Sequence, residues 1–177
     1  MGLAAFSTPK DMALKLFREA GRTWNAKTFE DMGDHLLNFS VTNSALRDWV
    51  MHHQGHAKGS AAYETWRCGA KGYLGECADI ANVTKHFHLR KKIATLNEVE
   101  ETRVALGPFG AIEGSESSHP SFEIVLSDGK AIDLLQFLFQ ICSAWESIFK
   151  ADSNLGELPS HAYFMMVKSP GAAKATS

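Results

Sequence analysis

The segment from Asp133 to Lys150 is apolar on nearly every side. Leu134, Leu135, Phe137, Leu138, Phe139, Ile141, Cys142, Trp145, Ile148 and Phe149 crowd it at helical spacing. Such a helix has little face to offer water, so it belongs at the buried centre of a bundle. Leu135, Leu138, Ile141 and Trp145 are therefore expected to be largely buried, with the other elements amphipathic and packed around them.

The upstream pattern meets that requirement. Ser7-Thr8-Pro9 has a hydroxyl N-cap followed by proline, a helix start, and Ala13, Leu16, Phe17, Ala20 and Trp24 continue at helical spacing. From Thr28, Phe29, Met32, Leu36, Phe39, Leu46 and Val50 give one long helix over 28–53, or two helices bent near Ser40–Ser44. A short helix fits 59–71. Over 73–92, Tyr73, Cys77, Ile80, Thr84 and Phe87 form an apolar face, opposite a polar row of Asp79, Asn82, His86 and Arg90. Between 93 and 132 the period changes to two: Thr102–Leu106 and Ser121–Leu126 read as strands, Ser127-Asp128-Gly129 as a tight turn, and Gly107–His119 as a mobile loop.

The expected fold is mainly α, a bundle of about four to five helices with a small inserted β-hairpin. A single helical-bundle domain spans 1–160, with the hairpin insertion near 100–132. Residues 161–177 read as a C-terminal tail, partly disordered, in which Tyr163–Val167 offers a short strand or a docking segment.

A net charge of −2 provides no global field for nucleic acid or an anionic membrane, and Arg90-Lys91-Lys92 is the one local basic patch. No apolar run approaches the ~18 residues of a membrane span. Cys68, Cys77 and Cys142 cannot all pair within one chain and lie in apolar patterns, which suits a reducing, cytoplasmic setting.

Several chemistries lack their signatures. There is no Gly-x-Ser-x-Gly, and Gly107-Pro-Phe-Gly-Ala-Ile-Glu-Gly114 lacks the Lys-Ser/Thr ending of a phosphate loop. His52, His53 and His56 raise a metal-dependent hydrolase as one reading, since His52 and His56 are four apart. The glutamate of a metalloprotease motif is missing and Gly55 intervenes, so neither a metal nor a cofactor is expected. Asp48 and His52 also form an i, i+4 pair that stabilises a helix without chemistry, and Asp79, Asn82 and His86 can form a buried polar network.

Arg47-Asp48-x-x-x-His52 and Asn82-x-x-x-His86 share a spacing, with Ala81 where the second fragment would carry arginine. The first resembles the Arg-x(4–6)-His motif of the bacterial HEPN superfamily of small helical bundles, and the layout over about 8–150 is similar. The inserted hairpin departs from the family pattern. The resemblance implies a metal-independent ribonuclease site at a dimer interface, in a toxin or defence protein. Arg47, Asp48 and His52 would be the active set, or Asn82 and His86, on one helix face with Asp79, would form an inactivated one. Arginine would stabilise the phosphorane and histidine would move protons. On a straight helix Arg47 and His52 lie about 140° apart, so a shared site needs a bend or a partner chain. The alternatives are a degenerate relative that works by association, or an unrelated non-catalytic interaction subunit of a bacterial complex. Possible partners are therefore RNA, a second copy, or another protein.

Overall fold

The computed structural model describes residues 6–69, 73–85, 95–126 and 128–166. Its helices are α1 (Pro9–Asn25), α2 (Phe29–His53), α3 (Ala61–Gly69), α4 (Leu74–Lys85), α5 (Leu134–Ala151) and α6 (Ala162–Met166). Its strands are β1 (Thr95–Arg103), β2 (Leu106–Gly107), β3 (Gly110–Ala111), β4 (Ser117–Val125) and β5 (Ala131–Asp133). The fold is mixed α/β, which corrects the expected helical bundle with a small hairpin. β1, β4 and β5 form a three-stranded antiparallel sheet in the order β1-β4-β5, and β2–β3 is a second, smaller ladder.

The helices start where capping chemistry says they should. Thr8 and Asp11 form a reciprocal capping box ahead of Pro9. The backbone and hydroxyl donors of Ser7 and Thr8 hold the Asp11 carboxyl below the usual range. Thr28 caps α2 by accepting from the Asp31 amide at 3.1 Å, and Asp133 caps α5 by accepting from Gln136 at 2.7 Å.

α2 is one helix through Ser40–Ser44 because its small polar side chains find partners there. Thr42 donates to the Asn38 carbonyl at 2.7 Å and accepts from Lys15 at 2.6 Å. Ser40 accepts from the Cys77 thiol at 3.6 Å. α1 and α2 pack as an antiparallel pair, clamped by the buried Glu19, whose carboxylate meets Arg22 at 2.7 Å, Lys15 at 3.5 Å and His35 at 3.7 Å.

The core lies between α1, α2, α4 and α5, where Phe17, Phe39, Phe137, Trp145 and Phe149 are fully buried. α5 buries Leu138, Ile141 and Trp145 as expected, but Leu135 is 37% exposed and Phe139 45%. The outer side of α5 is thus apolar yet only partly covered.

β1 begins well before the predicted strand. Its sequence, Thr-Leu-Asn-Glu-Val-Glu-Glu-Thr-Arg, is polar because it is a sheet edge, and charge on an edge discourages pairing with other chains. The stretch read as a loop carries the end of β2, all of β3 and the first residues of β4. Gly129, at φ +85°, makes the β4–β5 turn, where a side chain would be strained.

α6 docks on α1. A Cβ on Gly21 would stand 2.1 Å from the Phe164 carbonyl oxygen, so only glycine lets the two backbones approach. The buried His161 fastens this end, its backbone amide and Nδ1 lying 2.6 and 2.8 Å from Glu146 Oε1.

Candidate functional site

Arg47, Asp48 and His52 lie on the C-terminal half of α2. The Arg47 guanidinium donates through Nε to Asp48 Oδ1 at 2.8 Å, and Nη2 lies 2.8 Å from the same oxygen. It also lies 5.3 Å from the ring centres of both Tyr63 and Trp66 on α3. Trp66 packs on Trp145 with centroids 6.0 Å apart. The Trp145 indole donates to Asn43 at 2.8 Å, and Asn43 donates to the Leu74 carbonyl at 3.2 Å. Arg47 therefore stands at the end of a chain of contacts joining α2, α3, α5 and α4.

His52 turns elsewhere. With Asp48, His53, Trp49, Ser7 and Pro9 it lines a groove of about 340 Å³. His56 leaves the helix after Gly55, at φ +76°, and lines a different, mostly apolar groove with Val50, Met51 and Trp66. Among the described residues no three His, Cys, Asp or Glu side chains gather as metal ligands would.

Asp79 and Asn82 are half-buried on α4, and His86 lies outside the described residues. Asn43 meets Leu74 and Ser40 meets Cys77, so α4 runs antiparallel along the N-terminal half of α2. That register sets Asp79 level with Asn38 and Asn82 level with His35. Arg47 lies roughly 13 Å farther along the α2 axis than the level of Asp79, at ~1.5 Å per residue. The structure joins Arg47 to Asp48 and sets Asp48 with His52. It does not bring Asp79 or Asn82 to them.

Another cluster escaped the sequence reading. Pairing of β1 with β4 sets Glu101 opposite His119 and Arg103 opposite Ser117, all on one face of the sheet. Arg103 stacks on Trp24 at the end of α1, its guanidinium carbon 3.4 Å from the ring centre, and Nη1 donates to the Trp24 carbonyl at 2.9 Å. Its Nη2 lies 3.8 Å from Glu101 Oε2, beyond hydrogen-bond reach, while Glu101 Oε1 accepts from Ser121 at 2.6 Å.

His119 is 4% exposed. Its Nδ1 lies 2.7 Å from the Pro120 carbonyl, which can only accept, so Nδ1 carries the proton and Nε2 is an acceptor. Burial, and then the charges of Arg103 and Lys27, hold its pKa below the ordinary value, against the pull of the Pro120 carbonyl and Glu101. Arg103 and His119 wall a cleft of about 760 Å³, with Lys27 and Ser117 among its polar lining and Leu135, Phe139 and Met165 on the apolar side.

The available signal was Glu101 and Arg103 two apart in one strand and Ser117, His119 and Ser121 two apart in another. Without the register the two sets could not be joined. No family model, curated protein or solved structure matches the chain.

Proposed function

We propose that the protein works by association, as a HEPN-like protein without catalysis that presents a protein-binding surface at its β2–β3 ladder. The observation that carries this reading is the β2–β3 tip. Phe109 is fully exposed there, Leu106 is 76% exposed and Ile112 49%. Three large apolar side chains on one small ladder are what an interface supplies, since a lone monomer gains nothing from wetting them. Arg47 supports the non-catalytic half. Its paired Nε–Nη2 edge already faces Asp48 and its plane lies against two rings, so only the single Nη1 group is left for a substrate, whereas a phosphorane is best held by the paired edge. No helix among the described residues is long and apolar enough to cross a membrane. The unpaired, buried Cys77 and Cys142 fit a reducing compartment, and we place the protein in the cytoplasm.

The ribonuclease reading rests on the groove shared by Asp48, His52 and His53. One experiment separates the two: incubation of labelled single-stranded RNA with the wild type, Arg47→Ala and His52→Ala. Association predicts intact RNA in all three, and a lower melting temperature for Arg47→Ala alone. Cleavage by the wild type that His52→Ala abolishes without a change in melting would replace this reading with the ribonuclease. The interface itself is read by light scattering and by cross-linking through a photoreactive residue at 109. A wild type that neither self-associates nor cross-links to another protein, and behaves identically as Phe109→Asp, would remove the surface.

A further inference from the structure

We propose that the cleft between β1, β4, α5 and α6 binds a small amphipathic monoanion, a carboxylate with an apolar or aromatic body. The head of the site is the free edge of Arg103. Nη1 is taken by the Trp24 carbonyl, which leaves Nε and Nη2, the two donors that point in parallel and match the oxygens of a carboxylate. Both are buried, neither has a hydrogen-bond partner among the described residues, and a carboxylate in the cleft meets them after a small outward shift of the partly exposed Arg103 side chain. His119 Nε2 is a third buried polar atom in the same condition on the same wall. Burying a polar group without a partner is unfavourable, so three on one wall mark a place completed by something else.

Charge selects the head group. Arg103 and Lys27 are cations, Glu101 is an anion 3.8 Å from Nη2, and His119, with its proton on Nδ1, is neutral. The wall therefore carries one net positive charge, which one carboxylate balances and a phosphate monoester dianion would exceed. Shape selects the body. Leu135 and Phe139 are the outer residues of α5 that the core leaves partly exposed, and Met165 of α6 lines the same cleft. A purely polar ligand would leave these surfaces wet, whereas a hydrocarbon body covers them while the head reaches Arg103. His119 Nε2 either accepts from a polar group on the ligand or takes up a proton beside the carboxylate and becomes a further donor.

The test uses the full chain and four probes: 4-phenylbutyrate, acetate as head alone, 4-phenyl-1-butanol as body alone, and phenyl phosphate as the dianion. Calorimetry gives affinities, and NMR of the Arg103 Nε–H and Trp indole N–H signals locates the contact. 4-Phenylbutyrate should bind with Kd below about 1 mM and each other probe at least roughly tenfold more weakly. Shifts should centre on Arg103, Trp24 and His119. Arg103→Lys keeps the charge but loses the parallel donors, and should weaken 4-phenylbutyrate by about tenfold or more. Glu101→Gln should tighten it. The wild-type shift map stands even if a variant fails to fold. Absence of binding at ~10 mM, equal binding of the alcohol, phenyl phosphate binding as tightly as the carboxylate, or shifts centred elsewhere would each overturn the site.

Discussion

Two of the described arginines lie against tryptophan, and they are used in opposite ways. Arg47, on α2, turns its Nε–Nη2 edge to Asp48 and lies against Tyr63 and Trp66. Arg103, on β1, gives only Nη1 to the Trp24 carbonyl and keeps Nε and Nη2 unpartnered among the described residues. In the first the paired Nε–Nη2 edge is met by a carboxylate, and in the second it is not. The same residue type on the same kind of ring thus tells nothing by itself; what matters is which donors remain after the fold has formed. The carboxylate next to Arg47 in sequence closes its fork locally. The carboxylate near Arg103 is turned toward Ser121 and stays out of reach.

The most severe way to break this contrast is to remove the tie behind Arg47. Trp145→Ala deletes a fully buried indole together with its packing on Trp66 and its bond to Asn43. It should destabilise by ~3–5 kcal/mol in urea melts. A loss below ~1 kcal/mol would show that the Arg47 end of the molecule is not built on this chain of contacts.

Next comes the wall of the Arg103 cleft. Gly21→Ala would normally gain ~0.5–1 kcal/mol of helix stability. Here the added carbon meets the Phe164 carbonyl, a backbone atom that cannot rotate away. We expect a net loss of ~1–3 kcal/mol with displacement of α6, seen as faster hydrogen exchange over 161–166. A stabilised variant would mean that α6 is not held against α1.

The arginines themselves give a smaller and sharper comparison. Arg47→Ala loses a partly exposed ion pair and two ring contacts, together ~1–2 kcal/mol. Arg103→Ala loses one ring contact and one hydrogen bond but also removes two unmet buried donors, so its stability should lie within ~0.5 kcal/mol of wild type. Equal losses at the two sites would erase the distinction.

The smallest effect is in pH. The folded pKa of His119 lies below its unfolded value, so the unfolded chain takes up the proton first as pH falls. Stability should therefore decline as pH drops through about 6.5, and His119→Gln should remove that part of the decline. Burial of the ring sets this, helped by the charges of Arg103 and Lys27 and opposed by the Pro120 carbonyl and Glu101. Identical pH–stability curves for wild type and variant would show that the ring is not held neutral.

The sequence by itself determined the helices whose signal is local. Thr8-Pro9, Thr28 and Asp133 cap where their side chains can reach the next amides, and the period of Leu134–Phe149 places α5 in the core. The spacing also set Asp48 and His52 four apart on α2, where they line one groove, while Arg47 turns to Tyr63 and Trp66 instead. Leu135 and Phe139 looked like more core, since hydrophobicity gives no direction; the packing of α5 decided that they border a cleft. β1 was illegible because an edge strand needs no apolar alternation, and its partner stands 14 to 30 residues away by register. Only that register joins Arg103 to His119, and only the return of α6 over Gly21 closes the space around them. Strand pairing and helix docking are long-range events, fixed by the burial of whole faces, and no window of sequence contains both halves of such a contact.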